Sequence, residues 1–261
     1  MQPTTIKTLE IKFSTPISSA EIPFFRGAVI GTARAAHKRL PDPDKEATLL
    51  FHNHDGERVR YMYPLIQYKR IKGMATIMCL GDGTEAIREY FRNFHSSVDI
   101  GKRHTELVIS SVESSEHVVG FSEEPLAYRV SNWLPLNQDN YGTFIKTASL
   151  GERCHFLEKV LIGNILSFAK GLDIRIEGNV ECQILSLGEP RAMHYKEVKM
   201  MAFNTVFRTN ISLPLHIGLG KGASHGFGTV HRYTTPGLQN TPTHQPETEQ
   251  TITNPQNHDK Q

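Results

Sequence analysis

The 261-residue chain holds only three cysteines, Cys79, Cys154 and Cys182, and no two of them form a C-x-x-C pair. An odd count at wide spacing argues against a disulfide framework and against a structural zinc knot, and points to a reducing, cytoplasmic setting. No uninterrupted apolar run approaches the roughly 20 residues that a membrane-spanning helix needs, and neither end reads as a signal peptide. A strong charge of one sign is also lacking. The formal net charge is +2, from 29 basic and 27 acidic residues, so the total alone implies no polyanionic partner. What remains is a composition of 38% hydrophobic and 21% charged residues, the profile of a soluble protein with a true core. The length suits one large domain or two of about 100–130 residues.

The basic residues are nevertheless clustered. Arg58, Arg60, Lys69, Arg70 and Lys72 lie close together after Glu57, and Arg26, Arg34, Lys38, Arg39 and Lys45 face only Asp42 and Asp44. Such clusters suit a polyanion, although solvated strand faces would leave the same trace.

Periodicity supplies the fold class. Residues 5–13 alternate as a half-buried strand, and 20–37 carry an apolar stripe at helical spacing. Hairpin-like stretches at 46–54 and 57–69 follow, then a strand in GMATIMCLGDG, a helix in GTEAIREYFRNF and a strand in HTELVISSVESSEHVVG. Strand–helix–strand–strand–helix–strand is the ferredoxin-like order. The second half repeats this order less cleanly: a strand in LAYRVSNWLPL, a long helix ending at Gly171, then strands in DIRIEGNVECQILSL, YKEVKMMAFNTVF and TNISLPLHIGLG. After Val230 the chain turns to Thr, Pro, Gln and Asn, which cannot offset their ordering entropy. We therefore expect an α+β protein of two tandem ferredoxin-like domains, 1–122 and 123–230, followed by a disordered polar tail over 231–261.

Two stretches carry candidate chemistry. The first, GLGKGASHGFGTV at 218–230, puts five glycines into thirteen positions. It lacks the GK[ST] of a phosphate loop. It also lacks the following βαβ unit and distal acid of a dinucleotide fingerprint. Paired glycines at Gly218, Gly220, Gly226 and Gly228, around Lys221 and His225, would let backbone amides approach phosphates; a flexible hairpin is the plain alternative. The second stretch is LLFHNHDGERVRYMYP. Asp55-Gly56 signals a two-residue hairpin turn, which pairs residues whose numbers sum to 111 and sets His54 opposite Glu57. Alternation then gathers His52, His54 and Tyr61 on one face, with Arg58 and Arg60 on the other. Four readings fit these residues: an HNH-type metal nuclease, a metal site using His52, His54 and Asp55, surface histidines without a role, and metal-free RNA cleavage by paired imidazoles.

GLGKGASHGFG resembles the C-terminal glycine-rich loop of the RAMP superfamily, built from two ferredoxin-like domains. With FFRGAV, HNH and YPLIQYK, the sequence is similar to the CRISPR repeat-processing endoribonucleases, in their b-type branch. The resemblance implies cleavage of CRISPR repeat RNA without cofactor or metal, leaving 2′,3′-cyclic phosphate and 5′-hydroxyl ends. It implies catalysis by two histidines one residue apart, a tyrosine seven positions on and an upstream lysine, which His52, His54, Tyr61 and Lys45 match. RNA would be held by Arg58, Arg60, Lys69, Arg70, Gly218, Gly220, Lys221, His225, Gly226 and Gly228. Since the loop insert KGASH contains one lysine, much of the phosphate grip falls to the other cations. Other effector subunits and a second copy of the chain are further partners on this view, and no membrane is involved. A non-catalytic subunit that binds guide RNA, or a metal-dependent nuclease, are the rival functions.

Overall fold

The computed structural model describes residues 3–37, 54–55, 58–59, 63–92, 94 and 96–234. The N-terminal half begins with β1 (Thr4–Pro16) and α1 (Ile22–His37), and passes through the short pair β2 (His54–Asp55) and β3 (Arg58–Val59). It continues with β4 (Ile66–Ile71), β5 (Met74–Leu80), α2 (Gly83–Arg92), a small hairpin of β6 (Ser97–Ile100) and β7 (Arg103–Glu106), and β8 (Ile109–Val119). The main sheet has the order β4-β5-β1-β8 with every neighbour antiparallel, which is the ferredoxin-like topology.

Alternation along β1 sets the two faces of this sheet. Leu9, Ile11 and Phe13 turn to the helices, where Phe25, Val29, Tyr68 and Ile77 complete one core. Thr8 and Glu10 occupy the opposite face and are buried as well. A sheet with polar residues buried on its second face must have a second layer over it, and the C-terminal half provides that layer.

That half comprises β9 (Phe121–Trp133), α3 (Gln138–Lys146), α4 (Leu150–Lys170), β10 (Cys182–Leu187), β11 (Arg191–Tyr195), β12 (Val198–Ile211) and β13 (Thr229–Arg232). Its sheet runs β10-β12-β9-β13, with β11 also paired to β12, so the strand permutation of the first half recurs. On α4, Leu157, Leu161, Ile165 and Phe168 fall at helical spacing and are fully buried, making the stripe that packs on the sheet. Their core includes Ile6, Tyr63, Met78 and Leu80 from the first domain. The two domains therefore share one hydrophobic cluster.

The second unit departs from its template at one place. Between β12 and β13, the second crossover helix is replaced by residues 212–228, whose one helical element is the 3-10 turn Ala223–His225. This loop doubles back on itself: Leu219 N donates to Gly228 O at 2.8 Å, and Val230 N donates to Ile217 O at 2.8 Å.

Several sequence expectations need correction. The segment 104–120 holds two strands rather than one, because Leu107 donates to Ser96 O and closes a separate hairpin. Strand β12 ends at Ile211, so 212–220 is not a strand; 173–181 is irregular ahead of β10. α3 was not foreseen. Domain exchange falls at Gly120, between β8 and β9, so the expected boundary at 122 lies inside β9. His231 and Arg232 complete β13, whereas residues 235–261 of the expected tail lie outside the described residues. In the short hairpin His54 pairs with Val59 and Asp55 with Arg58, a register summing to 113 instead of 111.

The glycines of the loop answer to the protein's own interior. A Cβ on Gly228, at φ +62, would stand 1.9 Å from Leu219 O, and one on Gly226, at φ +82, would stand 2.6 Å from Ile22 Cδ1. Gly163, within α4, has nothing within 4 Å of its Cβ position. We predict that Gly228→Ala costs at least about 2 kcal/mol in chemical unfolding, from left-handed strain plus a backbone clash. Gly163→Ala should be neutral or stabilising by up to about 1 kcal/mol. Equal effects of the two would contradict this account of the loop.

Candidate nucleic-acid interface

The loop is held against the first domain by side chains of one strand face. Tyr63 precedes β4 and Gln67 and Lys69 lie within it; all three are buried and face the second domain. Gln67 Oε1 accepts from Gly218 N at 2.8 Å, and Tyr63 Oη donates to Gly218 O at 2.9 Å. Gln67 Nε2 in turn donates to Tyr63 Oη at 2.9 Å. Five residues along the loop, Lys69 Nζ donates to Ala223 O at 2.9 Å. Both backbone groups of Gly218 thus find partners on Gln67 of β4 and on Tyr63 just before it, as buried peptide groups require.

Lys69 is 0% exposed, so the expectation that it contacts RNA is corrected. One hydrogen bond contributes about 1 kcal/mol, whereas burying an unpaired ammonium costs several, so burial decides. It pulls the Lys69 amine down to about 7.

Behind the loop lies a second polar cluster. His216, held at φ +64, donates through Nδ1 to Glu10, and Lys12 Nζ lies 3.0 Å from the other Glu10 oxygen. Burial pushes the Glu10 carboxyl up, but the hydrogen bond and charge of His216, with Lys12, outweigh it and leave the group below its ordinary range. His231 stands beside His216, with ring centres 5.5 Å apart. Burial, then the His216, Arg129 and Lys69 charges, lower His231 to about 4.

The remaining sequence candidates are distributed as follows. Lys221 is exposed at the loop tip. His225 is half-buried, hydrogen-bonded to Ser224 Oγ at 3.0 Å and edge-on to the Tyr195 ring. Burial first, then Arg26, Lys196 and Lys69, lower it to about 4, so near neutral pH it is no cation for phosphate. Arg70 is exposed, and its Nε donates to Ile17 O at 2.7 Å. Gly218, Gly220, Gly226 and Gly228 belong to the packed loop. The backbones of His54 and Arg58 lie in the short hairpin. Lys45, His52, Arg60 and Tyr61 lie outside the described residues. Sequence reasoning missed Tyr63, Gln67 and His216. The available signal was a polar pair, Gln67 and Lys69, alternating with the apolar Ile66 and Tyr68.

Two ferredoxin-like units in tandem, the second closed by a glycine loop in place of its last helix, define the two-domain RAMP class of proteins. Comparison with known proteins narrows this. The Cas6b N-terminal domain family matches residues 4–118 and the Cas6b C-terminal domain family matches residues 120–233; the chain belongs to the Cas6b family. The uncharacterized protein MJ0978 of Methanocaldococcus jannaschii is 35% identical over 114 residues, spanning 43% of this chain and 76% of that protein. A crystal structure of Cas6b superimposes with a TM-score of 0.75 at 25% identity, covering 88% of this chain and all (100%) of that one. A second, of a CRISPR RNA processing endoribonuclease Cas6b, shares the fold with a TM-score of 0.63 at 23% identity and the same 88% and 100% coverage.

The buried lysine yields a test with a defined sign. Its folded value of about 7 lies below the ordinary 10.5, so between those limits the unfolded chain holds a proton that the folded chain lacks. Stability then rises with pH across that window. Between pH 7.5 and 9.5 this one group contributes a rise of about 2 kcal/mol. We predict that urea unfolding of Lys69→Met shows that much less gain than the parent over the same interval. Parallel stability–pH curves for the two proteins would show that Lys69 is charged in the folded state.

Proposed function

We propose that the chain is an endoribonuclease that cuts CRISPR repeat RNA into guide RNAs by metal-independent acid–base chemistry. The observation that carries this is the match of both domains, from residue 4 to residue 233, to the Cas6b family. The likeness to a crystal structure described as a CRISPR RNA processing endoribonuclease supports it. So does the sequence pattern around His52 and His54, with Tyr61 seven positions beyond His54 and Lys45 upstream.

In this chemistry the ribose 2′-oxygen attacks the adjacent phosphorus as the bond from phosphorus to the 5′-oxygen breaks. One of His52 and His54 takes the 2′ proton and the other gives a proton to the departing oxygen, which needs groups that exchange protons near neutral pH. Tyr61 orients the phosphate and Lys45 balances the charge that builds on it. The products are a 2′,3′-cyclic phosphate and a 5′-hydroxyl, and no cofactor takes part. Arg58, Arg60, Arg70 and Lys221 supply cations for the RNA backbone. Folded repeats would be recognised through shape and unpaired flanks. Other effector subunits, and a second copy of the chain, are further partners on this proposal.

We predict that His52→Ala and His54→Ala each slow single-turnover cleavage of repeat RNA about 100-fold or more, with RNA affinity within a factor of about two. Cleavage by the parent should continue in excess chelator. Full-speed cutting by the double variant would rule out the histidine mechanism, and loss of activity with chelator would point to a metal nuclease. Binding without any cut by the parent would identify a guide-binding subunit.

A further inference from the structure

A groove of about 620 Å³ opens beside the glycine loop, between the start of α3 and the β11–β12 hairpin. Its floor is apolar, from Leu136, Val198, Met200 and Met201, and Tyr141 stands on its wall with 47% of its surface exposed. Lys199 and Lys221 line it as well, both exposed and without an ion-pair partner among the described residues. Arg191 adds a third cation, donating to Asn132 Oδ1 at 3.3 Å. Among the described residues that line the groove, none is acidic. A smaller recess of about 220 Å³ shares Leu136, Asn137 and Lys221 and continues to Gly220.

Apolar floor, aromatic wall and unopposed cations answer the two parts of an unpaired nucleotide: a flat base and a phosphate. Bases stack on aromatic and apolar side chains irrespective of sequence, while lysines follow the backbone. The volume lies within the range of small-ligand pockets, about 300–1,000 Å³, which accommodates one or two nucleotides. The continuation along the loop gives a strand a path onward.

We propose that this groove binds an unpaired segment of the RNA substrate, with a base packed on Tyr141 and Met200 and its phosphates on Lys199 and Lys221. The proposal rests on the endoribonuclease reading and adds a place where single-stranded RNA is held. Tyr141 and Lys199 are positioning residues here: they set where the strand lies and take no part in the bond change.

The test uses the full-length protein, 5′-labelled single-stranded RNA hexanucleotides read by fluorescence anisotropy, and cleavage of repeat RNA. Tyr141→Ala should raise Kd for the hexanucleotide about tenfold, within the range measured for removing one stacking partner, while Tyr141→Phe keeps it within a factor of about two. Lys199→Ala should weaken binding and reduce the slope of log K against log salt by about 0.7. In repeat cleavage, Tyr141→Ala should raise the half-saturating protein concentration, and Tyr141→Phe should restore it. In the parent, 4-thiouridine in the hexanucleotide should photo-crosslink to peptides containing Tyr141 or Met200. Parent-like affinity and salt slope in both Ala variants, or crosslinks confined to other peptides, would overturn the assignment and leave the groove to a protein partner. Repeat cleavage by the parent in that case keeps the endoribonuclease reading intact. Crosslinks in the groove with no repeat cleavage would do the reverse.

Discussion

Everything distinctive in this molecule depends on how the backbone of residues 216–228 is satisfied without a helix. In the first domain, α2 satisfies most of its peptide groups internally, as helices do. In the second domain the equivalent segment is a loop, and its buried amides and carbonyls need partners from elsewhere. Strand β4 and the residues just before it supply them through Gln67, Tyr63 and Lys69, at 2.8 Å and 2.9 Å from Gly218 and 2.9 Å from Ala223. The second domain is completed by the first, and the shared cluster around Tyr63, Met78 and Leu80 is the apolar counterpart of the same dependence.

This arrangement gives the loop two unlike sides. Its inner side is backbone pressed on Leu219, Ile22 and β4, closely enough that side chains at Gly226 and Gly228 have no room. Its outer side carries Lys221 into the groove beside α3 and the β11–β12 hairpin. Rigid packing within and a cation without make a fixed edge for a polyanion. That suits the proposed work on RNA, because in-line attack tolerates little misplacement of the reacting oxygen and phosphorus.

The fold was legible wherever burial followed one period. Leu157, Leu161, Ile165 and Phe168 mark α4, alternation marks β1, and the repeated order of elements marks both ferredoxin-like units. It was illegible where local signals were weak. QDNYGTFIK has few apolar residues, and α3 starts from a capping box of Asn137 and Asn140 that reads equally well as a turn. For the candidate site, the glycine spacing announced a close backbone approach but not what approaches. The neighbours are Leu219 and Ile22, the latter about 200 residues away in sequence, so chain folding and not composition brings them there. Lys69 failed for the same reason. Counted among neighbouring bases it looks like part of a positive patch, and only Ala223, 154 positions away, reveals a buried amine. The histidine pattern lies largely outside the described residues, so its support comes from sequence and family.

The central claim is that the RNA supplies its own nucleophile. A repeat RNA with a single 2′-deoxy sugar immediately 5′ of the cut site removes that oxygen and changes almost nothing else. With the parent protein, the deoxy substrate should bind as the ribose form does and remain uncut at that position over times that cleave the ribose form to completion. Cleavage of the deoxy substrate at an undiminished rate, with a 5′-phosphate on the product, would mean that water is the nucleophile and would contradict the account.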